Sequence, residues 1–326
     1  MFKLLSTISA LICTAAFAGS ARADYPDRPI TMIVAYAAGG STDVTARILA
    51  VFIEKHLGGQ GKVVVLNRTG AGGQVGFEAL AQAAPDGYTI GFINTPNVLT
   101  VPIERRVRFH WTQFDLLGNL LDDPGGFSVH RDGNIKSLHD LAAYAKANPG
   151  QVTVGTSGVG SDDHLAMLAF ERIAGVKMTH VPFAGSAPTR AALEGKHIVV
   201  GAVNIGEGKQ YAETGSPILN LGQMSKVRVD IAPDVPTFKE QGYDIEMASL
   251  RGVAAPKGVP PEILKRLVDA VAKSAADPEF RQKMRAIYGP MRFLPPAEYA
   301  EVLRESEASF QALWKESPWS APEGAK

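Results

Sequence analysis

The 326-residue chain carries 33 basic and 33 acidic residues, so it has no excess positive charge to hold a nucleic acid or an anionic membrane surface. Its one cysteine, Cys13, excludes an internal disulfide framework. The length exceeds what a single hydrophobic core usually serves, so two lobes are expected.

Met1-Phe2-Lys3 is a short basic start, Leu4 to Phe17 an apolar run, and Ala21-Arg22-Ala23 the small-x-small pattern a signal peptidase cuts after. The run falls short of the roughly 20 apolar residues a membrane span needs. Residues 1–23 are therefore read as a signal peptide, with Asp24 the mature N-terminus and the periplasm the destination. Ile12 stands where a lipoprotein signal wants a small residue before its cysteine, so Cys13 leaves with the signal.

Short apolar runs then alternate with amphipathic ones. Strands are expected over Ile30–Tyr36, Lys62–Leu66, Tyr88–Ile93, Val152–Val154, Met178–Val181 and Ile198–Val203. The helices between them are expected over Thr42–Leu57, Gly73–Ala83, Asp162–Ile173 and Ala187–Leu193. Such alternation predicts an α/β fold with mostly parallel sheets. Two extended runs break the rhythm, Phe114–His130 and Met247–Pro256, and read as crossings between lobes. Lobe I is then 24–122 with 250–326, and lobe II 123–249. Pro261, Asp277-Pro278 and Pro295-Pro296 each open a C-terminal helix. The tail from Ser317 reads as loosely held, and Asp122-Asp123 before Pro124-Gly125 as turn chemistry.

Four times a strand runs into a small polar loop that opens a helix. The loops are Ala37 to Asp43, Thr69 to Gln74, Thr156 to Asp162 and Ala184 to Thr189, two in each lobe. In a parallel sheet such loops gather at the carboxyl ends of strands, where ligands bind. Glycines let the backbone approach a ligand, and helix N-termini favour an anion. Each loop alone is explained by helix capping, so Ser41, Thr42, Ser161 and Ser186 are also read as caps. The even split between lobes favours a binding cleft.

Enzyme motifs are incomplete. Val75 replaces the third glycine of G-x-G-x-x-G after Gly70 and Gly72, and Val159 breaks a nucleophile elbow at Ser157. His164 or His180 would have to serve as base to Ser157. Asp162-Asp163-His164 has no second cluster to complete a metal site. No catalysis, cofactor or metal is expected.

These residues resemble the TctC or Bug-type receptors of tripartite tricarboxylate transporters. The carriers are YPDRPITMIVAYAAGGSTDVTAR, VVVLNRTGAGGQVGFEALAQAAPDGYTI, VTVGTSGVGSDDHLA, HVPFAGSAPTRAAL, DVPTFKEQGYD and RGVAAPKGVP. The resemblance implies a type II periplasmic-binding-protein fold whose two lobes, joined by a two-strand hinge, close on a ligand. It implies a small mono- or dicarboxylate held by Ala38, Gly39, Gly40, Ser41, Thr42, Asp43, Ala71, Gly72 and Gly73, partly through water. The other lobe contributes Thr156, Ser157, Ser186, Asn204 and Glu207, and Tyr36 borders the first loop. It also implies a monomer that meets membrane permease subunits. Tyr36-Ala37 replaces the family's usual Pro-Phe, Val199 replaces a common Asp, and Glu104 to Phe114 departs from the usual segment, which leaves the far end of the pocket open. Arg251 reads either as a partner for a second carboxylate or as a hinge or surface ion pair. Two rival functions stay open, a periplasmic hydrolase using Ser157 and a receptor for a membrane sensor kinase.

Overall fold

The computed structural model of the chain describes residues 25–58 and 61–320. The signal segment, the cut after Ala23 and Cys13 lie outside the described residues. The first half comprises β1 (Ile30–Val34), α1 (Ser41–Leu57), β2 (Val63–Asn67), α2 (Gln74–Ala81), β3 (Thr89–Asn94) and α3 (Asn97–Glu104). β1 pairs in parallel with β2 and β3, because each intervening helix returns the chain to the same end of the sheet. Every β1 residue except Thr31 is buried, as befits a central strand. α3 is a helix the sequence hides: NVLTVPIE is rich in β-branched residues and holds Pro102 inside. Burial of Val98, Leu99 and Val101 overrides that local preference.

Next come β4 (Phe114–His130), α4 (Leu138–Ala147), β5 (Thr153–Thr156), α5 (Asp162–Ala174), β6 (Thr179–Pro182), α6 (Ser186–Glu194), β7 (Val200–Asn204), α7 (Ile205–Glu213) and β8 (Ile218–Gln223). The chain ends through β9 (Ala248–Pro256), α8 (Pro261–Ala276), α9 (Pro278–Ala286), β10 (Met291–Leu294) and α10 (Pro296–Glu316). The strand order is β2-β1-β3-β9-β4-β7-β5-β6, with β8 and β10 also paired to β4. β6, β5 and β7 repeat the parallel pattern of the first half.

β4 belongs to both halves. From Phe114 to Pro124 it runs antiparallel to β9, and from Gly125 it lies between β7 and β8. Pro124, with no N–H to donate, is the last residue paired to β9. Asp122-Asp123-Pro124-Gly125 is thus no turn. The tetrapeptide has turn composition, but it is the strand segment where β4 exchanges neighbours. The largest apolar cluster spans Tyr25 to Leu121 and Leu250 to Leu303, and the second spans Phe127 to Ile245.

The first part of the tail, residues 317–320, is held, contrary to its composition, and the rest of it lies outside the described residues. Trp319 is buried, its ring centroid lies 4.6 Å from that of Trp314, and Nε1 donates to Glu104 Oε2 at 3.4 Å. One large aromatic ring anchors a segment otherwise made of small and polar residues. No described helix is long and apolar enough to cross a membrane.

Candidate functional site

The four glycine loops meet in two pairs, each pair joining one half to the other. Ala37 N–H donates to Ala184 O at 2.9 Å, which ties the first loop to the fourth. A Cβ on Gly158 would lie 2.9 Å from Gly72 Cα, so the second and third loops touch through glycines. Thr100 Oγ1 donates to Gly160 O at 2.6 Å beside them. Residues 70–73 all have positive φ, a path that L side chains resist and that Ala71 also adopts. Gly40 caps α1, and a Cβ there would press on Ser186 Oγ at 2.9 Å.

Two cavities lie where these loops meet. The outer one, about 460 Å³, is walled by Gly70 to Gly73, by Ser157 to Val159, and by Phe183. Arg105 stands at its edge, with Nη2 donating to Ala71 O at 2.7 Å. The inner one, about 30 Å³, reaches Ser41, Asn94, Asn97, Asp162, Glu207 and Arg251. Tyr36 and Ser157 border both.

Beneath the inner cavity sits a buried charge cluster. Arg251 Nη1 is 3.0 Å from Asp123 Oδ2, and Nη2 donates to Asn204 Oδ1 at 3.1 Å and lies 3.8 Å from Glu207 Oε1. Glu207 Oε1 accepts from Ser41 N–H at 3.0 Å and Ser186 Oγ at 2.7 Å, while Oε2 accepts from Asn204 N–H at 3.3 Å. Asp162 Oδ2 accepts from Asn204 Nδ2 at 2.6 Å. Burial pushes Asp123 up to about 7 and Asp162 up to about 6. Asp163 is raised well above the usual carboxylate range by burial and then by the neighbouring Asp162. One guanidinium serves these acids, and burial with like charge nearby holds Asp123, Asp162 and Asp163 above the usual carboxylate range.

Of the residues read from sequence, Tyr36, Ala71, Gly72, Gly73 and Ser157 line the outer cavity. Gly40, Ser41, Thr42, Ser186, Asn204 and Glu207 line the inner one. Ala38, Gly39, Asp43 and Thr156 lie outside both. Burial raises the Asp43 carboxyl, but hydrogen bonds from Arg47, Gly39 N–H and Asn67 outweigh it and hold it below the usual range. Those partners share its half, so Asp43 shapes the first loop. Thr156 Oγ1 is 2.7 Å from His180 Nε2.

Arg251, Asp162, Asn94 and Asn97 also line the inner cavity, beyond the residues expected to hold the ligand. One signal was available for the first: Arg251 is the lone charge in the apolar run MASLRGVAAP, and a charge in a buried strand needs a partner. It is a buried hinge-strand ion pair, not a surface one.

The Ser157 hydroxyl is committed elsewhere. Its Oγ donates to Asp163 Oδ2 at 2.5 Å, and its N–H donates to the same oxygen at 3.0 Å. The two histidines stack on each other, centroids 3.9 Å apart, and burial lowers them to about 3 for His164 and about 4 for His180. Ser161, read as a cap, accepts from His164 N–H at 3.2 Å. Among the described residues no group of His, Cys, Asp and Glu could hold a metal ion.

Two α/β halves joined by long strands, with helix-opening loops facing across a cleft, define the periplasmic-binding-protein fold. The chain belongs to the TctC family, the tripartite tricarboxylate transporter family receptors, whose model matches residues 45–289. It is 34% identical over 299 residues to Protein BugT of Bordetella pertussis, covering 85% of this chain and 90% of BugT. The structure of the periplasmic binding protein BugD is similar, with a TM-score of 0.83, 30% identity, and coverage of 90% and 98%. An R. palustris protein solved with adipate gives 0.84, 28%, and coverage of 90% and 98%. The family is one of solute-binding receptors.

Proposed function

We propose that this protein, exported and freed of residues 1–23, captures a small carboxylate between its halves and delivers it to the membrane subunits of a tripartite tricarboxylate-type transporter. The carrying observation is the outer cavity, about 460 Å³ and walled largely by the backbone of paired glycine loops. That volume suits a small molecule, and backbone N–H groups suit a carboxylate. A relative solved with adipate supports the same ligand class. Residues up to 122 with those from 250 onward, and residues 123–249, act as two lobes that swing about β4 and β9.

A thermal-shift screen of mono- and dicarboxylates tests the reading. At a hundredfold excess over its dissociation constant a true ligand adds about 2.7 kcal/mol of stability. Stabilisation by sugars, metal cations or peptides alone would sink it. Ser157 Oγ gives its one proton to Asp163 Oδ2, so Ser157→Ala removes no donor to a ligand carboxylate and should leave carboxylate binding within about threefold of the parent. The parent should show no turnover of carboxylate esters. Turnover by the parent that Ser157→Ala abolishes, with binding kept, would instead establish the hydrolase.

A further inference from the structure

We infer that the segment after α10 is a clasp: Trp319 reaches the loop that opens α5 and biases the two halves toward the closed arrangement. Such a clasp goes beyond the carboxylate reading and rests on the two-lobe motion proposed above.

Local chemistry turns the indole inward. Pro318 has no N–H to continue α10, and Ser317 N–H donates to Leu313 O at 2.8 Å, so the chain folds back on the last helical turn. Trp319 then stacks near Trp314, with ring centroids 4.6 Å apart, and is only 4% exposed.

The neighbours of Trp319 come from both halves. α10 packs into the first core through Tyr299 and Leu303, while α5 packs into the second through Ala166, Met167 and Phe170. Trp319 Nε1 donates to Glu104 Oε2 of α3 at 3.4 Å, and a Cβ on Gly160 would lie 3.5 Å from the same nitrogen. Gly160, at φ +75, directly precedes the Ser161 cap of α5. Thr100 Oγ1 of α3 donates to Gly160 O at the same place, a bond across the halves that the indole covers.

The contact continues to the two glycine loops that touch at Gly72 and Gly158. Glu104 Oε1 lies 3.1 Å from Arg105 Nη1. Arg105 in turn donates through Nη2 to Ala71 O at 2.7 Å and through Nε to Gln74 Oε1 at 2.9 Å. Trp319 thus backs the second loop through two side chains and the third loop directly. Parting the halves would take Gly160 away from the indole and expose apolar ring surface to water. That cost falls on opening alone, so it favours closure.

Hydrogen exchange on the parent and Trp319→Ala tests the clasp, with three amides as gauges. Ala37 N–H, bonded to Ala184 O at 2.9 Å, and Ser41 N–H, bonded to Glu207 Oε1 at 3.0 Å, join the halves through the first loop, which shares no residue with the contacts of Trp319. Thr31 N–H, bonded to Tyr88 O at 2.8 Å, lies within the first half and reports global unfolding. Trp319→Ala should speed the Ala37 and Ser41 amides about tenfold, the worth of one aromatic contact and one hydrogen bond, and leave Thr31 unchanged. Trp319→Phe, which keeps a ring, should fall between. Ala37 and Ser41 unmoved, or all three amides faster by one factor, would make Trp319 ordinary packing and overturn the clasp. Ala37 and Ser41 unprotected in the parent would overturn it too, since no closed arrangement would be there to hold. Should both exchange no faster than Thr31 in parent and variant alike, the halves never part, which removes the two-lobe motion and the clasp together. The thermal-shift screen judges the carboxylate reading separately.

Discussion

Gly72→Val is expected to give a folded protein that no longer closes and binds carboxylate about a hundredfold more weakly, a loss of roughly 2.7 kcal/mol. Two causes act together. Gly72 has φ +64, where a β-branched residue is strained by about 1–3 kcal/mol. A Cβ at this position would also lie 3.0 Å from Val159 O of the opposing loop, and the valine γ-carbons would extend further into that contact. The clash exists only when the halves are together, so opening relieves it while each core stays intact. Circular dichroism should therefore resemble the parent, while the φ strain, which opening does not relieve, lowers the melting temperature by a few degrees. Calorimetry should show the lost affinity, and small-angle scattering should show no compaction with ligand, in contrast to the parent. A variant that binds and compacts like the parent would remove the glycine loops from the mechanism.

That the loops were legible and the charges beneath them were not has a physical cause. Each loop is a local signal: glycines and hydroxyl residues between an apolar run and a helix, all within seven residues, as in Ala37 to Asp43. The strands and helices around them follow from periods of two and 3.6, and α1 (Ser41–Leu57) begins one residue from its expected start. The charge cluster is assembled by topology instead. Asp123, Asp162, Glu207 and Arg251 come from β4, α5, α7 and β9, and each has an innocent local reading. Asp123 looks like a turn residue because Pro124 and two glycines follow it. Glu207 looks like the third residue of a capping box with Asn204, and it is one, while its other oxygen reaches Ser41 in the opposite half. Only the β4–β9 register, with Leu121 opposite Arg251, brings the guanidinium under the cleft. Trp319 is missed for the same reason, since its partners Trp314 and Glu104 belong to separate helices.

Arg251→Met should cost more stability than any other single change at the cleft. The side chain is 2% exposed and its partner Asp123 1%, so methionine keeps most of the volume and removes the cation paired with Asp123. Breaking one side of a buried pair costs about 3–5 kcal/mol, which for a chain of this size lowers the melting temperature by about 10 °C. The loss should depend on pH in a defined sense. Burial raises Asp123 to about 7 in the parent, and Arg251 holds it down from a still higher value. Below about pH 6 Asp123 is protonated with or without the guanidinium, so the two proteins differ little through this group. As pH rises through about 7, the parent ionises Asp123 against Arg251. The variant must keep the proton or bury an unpaired anion, and its carboxyl lies further above the unfolded value of about 3.9. A group raised in the folded state loses its stabilising contribution as pH climbs, so the stability gap should widen between about pH 6 and pH 8. Adding Asp123→Asn to Arg251→Met removes the stranded charge while keeping an acceptor for Gly206 N–H, now 3.0 Å from Oδ1, and should recover most of the loss at pH 8. Chemical denaturation of the parent, the single variant and the double variant at both pH values reads all of this directly. A gap as wide at pH 5 as at pH 8, with no recovery in the double variant, would mean that Arg251 acts through packing or through Glu207 and not through its pairing with Asp123.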